Sequence, residues 1–158
     1  MITLREAEQS DCTTLYQWAN DPVIRSCALK DAPITLQNHL NWFNKQLASL
    51  NSKIYIASID DKPIGQVRFN QTDLNTYEID THLSPCSRGY GYGRKMLKQA
   101  LKLIEKNKNS TFIAIILIEN IASIKLFEAC NFKREKETTI ENKKCFIYIR
   151  KEALDGEH

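Results

Sequence analysis

Three of the chain's five glycines, Gly89, Gly91 and Gly93, are concentrated in one short stretch that leads into a predicted helix. The first N–H groups of a helix have no partner within it, and the helix dipole adds positive potential there. Glycine lacks a Cβ and tolerates positive φ, so an anion can approach those groups closely. Arg88, directly before the glycines, adds a permanent positive charge. The glycine loop, residues 88–93, therefore predicts a phosphate or pyrophosphate site, with a plain surface turn as the alternative.

Two other glycine-rich phosphate motifs do not match this loop. A P-loop requires Ser or Thr directly after its lysine, and neither follows Lys95. A dinucleotide-binding fingerprint requires Gly-x-Gly-x-x-Gly and an acidic residue about 20 positions further on. The glycine spacing differs here, and the apolar segment 111–118 contains no acid.

The composition is that of an ordinary globular protein, with 42% hydrophobic and 26% charged residues among 158. A single domain over 1–158 is expected. The chain has no apolar run of about 20 residues and an acidic, polar start, so we expect a cytoplasmic protein without a membrane partner. Five scattered cysteines without a Cys-x-x-Cys pair predict reduced thiols and no metal site. The dispersed net charge of +3 argues against a nucleic-acid partner.

Alternation between period-2 and period-3.6 patterns predicts an α+β (mixed α/β) fold with helices on both faces of a sheet. The segment 111–118 is apolar on both faces and is expected to be a fully buried central strand. A final hairpin should turn at 141–144. The predicted strands are 2–7, 53–60, 60–71, 77–84, 111–118 and the two arms of the hairpin 132–153.

Helices are predicted at 12–20, 36–49, about 92–106 and 120–130, with 23–34 as an irregular connector. Ser10 or Asp11 should cap the first helix, which Asp21-Pro22 should end, and Thr35 should cap the second. Asn131 is expected to take the left-handed conformation after the last helix. The expected inner faces are Leu36, Leu40, Phe43 and Leu47 in one helix and Met96, Leu97, Ala100, Leu101 and Ile104 in another.

The stretch "RGYGYG" (88–93) is similar to the Arg/Gln-x-x-Gly-x-Gly/Ala motif of the GNAT N-acetyltransferase superfamily. On either side, "YEIDTHLSP" (77–85) resembles that family's fourth strand, and "ENIASIKLFEACNF" (119–132) resembles the segment after its fifth strand. The resemblance extends over essentially the whole chain. It implies the GNAT fold: a twisted, mostly antiparallel sheet of about seven strands that splays between strands 4 and 5.

The resemblance also implies acetyl-coenzyme A as the cofactor, with its pyrophosphate on the glycine loop and its pantetheine arm between the splayed strands. Asn120 would meet the pantetheine, although an asparagine there also caps a helix well. The cofactor-binding residues implied are Leu83, Arg88, Gly89, Tyr90, Gly91, Tyr92, Gly93, Arg94, Asn120, Ser123 and Phe127.

The acceptor is expected in the first third of the chain. Segments 20–43 and 65–69 resemble the GNAT enzymes of bacterial nonulosonate pathways, which acetylate the 4-amino group of a UDP-linked amino sugar. A uridine base suits an aromatic surface and a diphosphate suits arginine. A protein N-terminus, an antibiotic or a polyamine are alternative acceptors. The substrate-binding candidates are Arg25, His39, Trp42, Gln66 and Arg68.

These candidates also have simpler interpretations. His39 and Trp42 flank the apolar face of a predicted helix and could be packing residues. Arg25 could be a solvated loop residue. Arg68 could form a cross-strand ion pair with the acidic face of the strand 77–84.

The reaction implied by the resemblance is direct attack of a primary amine on the thioester in a ternary complex, in a monomer or a homodimer. Glu78, Asp80 and His82 share one face of the strand 77–84 and are the candidate bases. Glu78 acting through water is preferred, and His82 is second because its ordinary pKa lies nearest neutrality. Phe127 stands where many family members have a tyrosine acid, so an acyl-CoA-binding module without catalysis is the alternative.

Overall fold

A seven-stranded sheet forms the centre of the molecule in the computed structural model, which describes residues 1–104 and 109–151. Its spatial order is β1-β2-β3-β4-β5-β7-β6, and every neighbouring pair is antiparallel except β4 and β5. The predicted mixed fold is confirmed. The strands are β1 Ile2–Glu6, β2 Ser52–Ile59, β3 Lys62–Asp73, β4 Thr76–Leu83, β5 Thr111–Leu117, β6 Lys133–Ile140 and β7 Lys143–Lys151.

Helices cover both faces of this sheet, because the central strands are apolar on both sides. In β2, Ile54 and Ile56 pack against α1 and α3, whereas Tyr55 and Ala57 point into the larger core beneath α4. None of the described helices is long and apolar enough to span a bilayer. The helices are α1 Cys12–Ala19, α2 Pro22–Ser26, α3 Leu36–Ala48, α4 Tyr92–Ile104 and α5 Ile121–Ala129.

The inner face predicted for α4 is confirmed: four of its residues are fully buried and Ile104 packs against them. Residues 105 and 106, the predicted end of this helix, lie outside the described residues. Asn131 has φ +69°, as expected after α5, and the final hairpin turns at Glu141 and Asn142, with φ +51° and +62°. Thr35 caps α3 by accepting from the Asn38 N–H at 3.2 Å.

The segment 23–34 is not wholly irregular, because Pro22–Ser26 forms the short helix α2. Asp21 is its N-cap and accepts from the Ile24 N–H at 3.4 Å, and Pro22 occupies the first turn, where its missing N–H costs nothing. The Asp-Pro pair was predicted to end the first helix. The first helix does end just before this pair, at Ala19, and the pair also begins the next helix.

The inner face predicted for α3 is only half right. Phe43 is completely buried and Leu40 packs beside it, but Leu36 and Leu47 remain 52% and 37% exposed. His39, only 3% exposed, fills the inward position instead. The helix borders an open cleft through Asn38, His39 and Trp42 rather than through Leu36.

Strand β5 is buried on one face only, contrary to prediction. Phe112, Ala114 and Ile116 enter the core, whereas Ile115 is 37% exposed. The reason is the divergence of β4 from β5: their parallel pairing is limited to three register pairs and ends at Glu78–Ile113. Beyond that point the second face of β5 borders a cleft.

Asp11 stabilises the entry to α1, although not as the simple helix cap predicted. Its two carboxylate oxygens accept from Arg5 at 2.7 and 2.8 Å, and one also accepts from the Glu8 N–H at 2.7 Å. The hydrogen bond from Arg5 lowers the pKa of Asp11, although burial opposes this shift.

The Asp11→Asn change is expected to reduce the free energy of unfolding at pH 7 by about 1–3 kcal/mol, because charged hydrogen bonds are lost from a buried site. The stabilisation by Asp11 is present above its ordinary pKa of about 4 and is lost as pH falls through the lowered value. Urea denaturation should therefore show a smaller loss of unfolding free energy for the variant in acid than at pH 7. Glu6→Gln, which breaks an exposed pair with Lys53, should cost less than about 1 kcal/mol. Equal deficits in the two variants would contradict this account.

Candidate functional site

A continuous cleft of about 980 Å³ begins where β4 and β5 diverge. One end is walled by α1, α2, α3 and the segment that follows α2. The other end is formed by the glycine loop and the first turn of α5. Most of the residues predicted for a site line this cleft, so the structure brings the two predicted subsites together.

The glycine loop has the backbone conformation that the sequence predicts for an anion cradle. Gly89 and Gly91 have φ +87° and +77°, and a Cβ at either position would meet no atom within 4 Å. Glycine is therefore required by conformation rather than by crowding. Both residues line the cleft, together with Gly93 and Arg94 at the start of α4. The open approach to these helix N–H groups fits a pyrophosphate.

Tyr90 and Tyr92, predicted cofactor residues, direct their rings away from the cleft. The two rings stack at 5.4 Å, Tyr90 is 66% exposed, and Tyr92 packs against the main core. Neither is among the residues that line the cleft. Their side chains are therefore poorly placed to donate a proton to a ligand there.

Arg88 is already paired in this structure. Its Nη2 donates to the Asp21 carboxylate at 2.9 Å and to the Leu83 carbonyl at 3.1 Å. Burial alone would raise the pKa of Asp21, but the hydrogen bond and charge of Arg88 outweigh it and lower that pKa. Asp21 was missed as a site residue because its partner lies 67 positions away.

On the opposite wall, Asn120 caps α5 by accepting from the Ser123 N–H at 3.2 Å, and both residues line the cleft. The helix-cap interpretation of Asn120 is thus correct, and a ligand contact stays a prediction. Phe127 is 3% exposed and packs edge-to-face on Phe132 at 5.0 Å. No tyrosine is among the described residues that line the cleft.

A polar cluster occupies the centre of the cleft. Arg68 lies directly opposite Asp80 in the β3–β4 register and donates to its Oδ2 at 3.1 Å. His82 Nε2 lies 3.5 Å from the same oxygen. The predicted cross-strand ion pair is therefore present. Glu78, the preferred base, is exposed at the cleft mouth, where β4 and β5 part.

The titration of this cluster follows from its surroundings. Burial lowers the pKa of His82, and the Asp80 charge opposes the shift only in part. For Asp80, burial acts to raise the pKa, but the charges of His82 and Arg68 prevail and lower it. At neutral pH the cluster therefore contains a neutral imidazole beside an ionised carboxylate.

Arg68 also stacks on an aromatic surface. Its Cζ lies 5.0 Å from the centroid of the Trp42 ring, and the guanidinium is held between this ring and Asp80. The Nε–H of Arg68 is buried without a hydrogen-bond partner in the described structure. Gln66, only 3% exposed, lies on the same strand face and also lines the cleft.

Arg25 and His39 are more deeply engaged in the protein than predicted. Arg25 donates to the carbonyls of Ala19 at 2.6 Å, Lys30 at 2.9 Å and Ala32 at 3.4 Å, so it organises the loop after α2. His39 Nε2 lies 3.1 Å from the Cys12 carbonyl, and burial lowers its pKa. The packing interpretation of His39 is favoured, although its ring reaches the cleft wall.

The cleft is markedly cationic. Two carboxylates, Glu78 and Asp80, are opposed by an excess of basic residues, and Asp80 is already paired. No described group of three or more histidine, cysteine or carboxylate side chains could hold a metal ion. The basic residues lining the cleft are Arg25, Lys30, Arg68, Arg88, Arg94, Lys95 and Lys125.

Comparison with known proteins gives a consistent picture. The family model described as acetyltransferase (GNAT) domain matches residues 1–133. An L-methionine sulfoximine/L-methionine sulfone acetyltransferase of Salmonella typhimurium is 25% identical over 83% of this chain and 80% of its own length. The acetyltransferase PseH of Campylobacter jejuni is 23% identical over 94% of this chain and 92% of its own length.

A solved structure with the same fold is the spermidine N-acetyltransferase from Vibrio cholerae in complex with CoA and spermine. Its TM-score is 0.83, with 19% identity over 94% of each chain. The likeness shows that the two chains share a fold.

Proposed function

Because the chain belongs to the acetyltransferase (GNAT) domain family, we propose that it acetylates the 4-amino group of a UDP-linked amino-deoxy sugar. The coarser activity, acetyl-CoA-dependent N-acetylation, follows from the family and from its CoA-bound structural relatives. The proposal concerns the acceptor, the residues that hold it and the residue that removes its proton. We place the reaction in the cytoplasm.

The observation that carries the acceptor proposal is the Arg68–Trp42 platform in a cationic cleft. A uracil ring suits the indole face, and a diphosphate suits a guanidinium with an unused buried donor. The resemblance of segments 20–43 and 65–69 to nonulosonate enzymes points the same way. A polycation such as spermine would need an excess of carboxylates, and this cleft has the reverse.

The residues present fit acetyl-coenzyme A. In this proposal the N–H groups at Gly91 and Gly93 hold its pyrophosphate, and the unpaired edge of β4 near Leu83 receives the pantetheine. Asn120 and Ser123 form the opposite wall. The bound cofactor supplies an activated thioester carbonyl. A β4 amide near Leu83 would stabilise negative charge on its oxygen, and such a donor contributes about 2.7–4 kcal/mol.

His82 is the base that the structure favours over Glu78. Its imidazole is neutral at pH 7 because burial lowers its pKa, so it can accept a proton from the acceptor amine. The proton would go to Nδ1, since Nε2 faces the Asp80 carboxylate. Asp80 would then stabilise the imidazolium. Glu78 lies at the cleft mouth and remains the alternative base, acting through water.

The test is a panel of primary amines assayed by release of free coenzyme A. A UDP-4-amino-sugar is expected to give a kcat/KM at least about 100-fold above that of spermidine, kanamycin or a peptide N-terminus, since misplaced like charges cost several kcal/mol. A cationic amine as the best acceptor would refute the proposal.

An α-amino acid derivative is the second candidate acceptor. The Salmonella relative named for methionine sulfoximine and methionine sulfone matches 83% of this chain. A carboxylate could also bind Arg68 bidentately. Methionine sulfoximine therefore belongs in the panel, and a preference for it would move the assignment to this class while leaving the anionic character of the acceptor intact.

Replacing Arg68 by methionine is expected to raise KM for the UDP sugar by about 10- to 100-fold, since a charged hydrogen bond contributes about 1.5–3 kcal/mol. The kcat should fall less than KM rises: the proposed substrate contact is equal in ground and transition states, and the lost Arg68–Asp80 ion pair reaches the base His82 only through Asp80. Arg134→Met is the matched control: Arg134 also stacks on a ring, Phe146, at 3.7 Å, but it does not line the cleft. Equal KM changes in both variants would remove Arg68 from the acceptor site.

A further inference from the structure

The ion pair between Asp21 and Arg88 joins the two ends of the cleft. Arg88 belongs to the glycine loop, whereas Asp21 begins α2 on the acceptor side. The carboxylate is 13% exposed and the guanidinium 31% exposed, so water screens the pair only partly. Arg88 also binds the Leu83 carbonyl at the end of β4. One side chain therefore touches the strand end, the glycine loop and the acceptor wall.

We call the end of the cleft that is walled by α1, α2, α3 and the segment after α2 the acceptor wall. From Asp21, further hydrogen bonds extend into this wall. The Arg25 N–H donates to the Asp21 carbonyl at 2.9 Å, and the Arg25 side chain holds the carbonyls of Lys30 and Ala32. Asn20 exchanges two hydrogen bonds with Ile34, at 2.8 and 2.7 Å. We call residues 27–34 the acceptor strap. Residues 20, 21 and 25 hold it at its base, and Lys143 of β7 holds its middle by donating to the Ala28 carbonyl at 2.9 Å and to the Asp31 carboxylate at 3.1 Å.

We propose that Asp21 and Arg88 are positioning residues that fix the acceptor strap against the glycine loop. The pair thus makes the acceptor wall depend on the conformation of the cofactor loop. Arg88 acts through Asp21, so its loss disturbs the acceptor wall even when no phosphate is involved. Only the kinetic part of the test rests on the proposed function.

A thiol in the acceptor wall provides a direct measurement. Cys27 is the C-cap of α2, lines the cleft and is partly accessible, whereas Cys12, Cys130 and Cys145 are buried. The exposed Cys86 is removed by a Cys86→Ser background. The alkylation rate of Cys27, read by peptide mass spectrometry in the folded protein, then reports how firmly the wall is held.

Asp21→Asn and Arg88→Gln are each expected to raise this rate about fivefold or more, since local opening is controlled by such contacts. Asparagine still caps a helix, so Asp21→Asn removes the charge pair but not the cap. The double variant should react no faster than the faster single variant, because both changes break one contact. Unchanged rates, or effects that multiply, would overturn the proposal.

The matched control is Asp11→Asn. Asp11 is also a buried, arginine-paired carboxylate at a helix start, but its partner is Arg5 of β1 rather than a residue of the glycine loop. Its loss should lower stability without changing the Cys27 rate. Should one charge-neutral variant fail to fold, the other single variant carries the same test. A rise in the Cys27 rate for Asp11→Asn equal to that for Asp21→Asn would show only general loosening and would refute the proposal.

Kinetics separate the proposed role of Arg88 from a phosphate contact. With acetyl-pantetheine, a donor that lacks the pyrophosphate, Arg88→Gln should still raise the acceptor KM several-fold. A defect confined to acetyl-CoA, with the Cys27 rate unchanged, would make Arg88 a phosphate ligand alone and end the proposal. The predicted Cys27 pattern without turnover of any UDP sugar would refute the proposed acceptor and leave the positioning role supported.

Discussion

Acetyl-coenzyme A should show no saturable binding to the Gly91→Asp variant. The substitution places a carboxylate beside helix N–H groups that are proposed to hold a diphosphate, so like charges meet there. Position 91 has φ +77°, and an L-residue there costs about 1–2 kcal/mol, which a folded domain can tolerate. Since a Cβ at this position meets no neighbour, the fold itself should persist.

Isothermal titration calorimetry and the cofactor-induced shift in melting temperature measure this effect. Gly91→Asn is the matched control, because asparagine has nearly the same shape and tolerates left-handed φ without adding charge. It should retain measurable affinity. Wild-type affinity in a folded Gly91→Asp protein would place the pyrophosphate elsewhere.

Replacing His82 by glutamine is expected to lower kcat by about 10²- to 10⁴-fold, the usual contribution of a general base. In the wild type, kcat should fall as pH drops below the lowered pKa of His82, which lies under its ordinary value of about 6.5. The imidazole is protonated in that range and cannot accept a proton. The variant should lose this acid limb. The charged groups that act on the ring are Asp80, Arg68, Arg25 and Arg88.

Glu78→Gln separates the two candidate bases. Glu78 is exposed at the cleft mouth and is expected to contribute less than about tenfold to kcat. A loss in Glu78→Gln larger than in His82→Gln, with the acid limb removed, would assign the base to Glu78. Stopped-flow assays at saturating acceptor from pH 5 to 9 distinguish the two results.

Much of the cleft end that is formed by the glycine loop and α5 was predictable from sequence, because its signals are local. The glycine loop combines a strand end, glycines and a helix start within about a dozen residues, so backbone chemistry alone defines it. The helix caps at Thr35 and Asn120 and the left-handed Asn131 follow from similar short-range rules, and the structure contains all three.

The opposite end of the cleft, walled by α1, α2 and α3, was harder to predict because its geometry depends on long-range contacts. Asp21-Pro22 follows the end of one helix and begins another, and the sequence does not reveal that the Asp21 carboxylate also pairs with Arg88, 67 positions away. Arg25 was expected to meet a diphosphate, yet its donors are directed at carbonyls of its own loop. A pattern of residue types does not reveal which hydrogen-bond donors are already bonded to acceptors within the protein.

The misjudged face of β5 has a physical reason. An apolar side chain predicts burial, but a cleft wall is apolar without being covered. Ile115 is apolar and partly exposed for this reason. Hydrophobic periodicity cannot distinguish core from an empty binding surface.

The short parallel pairing of β4 and β5 has a mechanical consequence. In β4, only Thr76, Tyr77 and Glu78 link the two halves of the sheet by strand pairing. Beyond them the junction is held by side chains of the main core, to which Ile79 of β4 and Ala114 and Ile116 of β5 belong. The sheet can therefore bend at this junction more easily than between any other two strands. Amide hydrogens of residues 79–83 should exchange with deuterium faster than those of the neighbouring β3 in the free protein. A molecule bound between β4 and β5 would hold the two halves of the sheet together and slow that exchange.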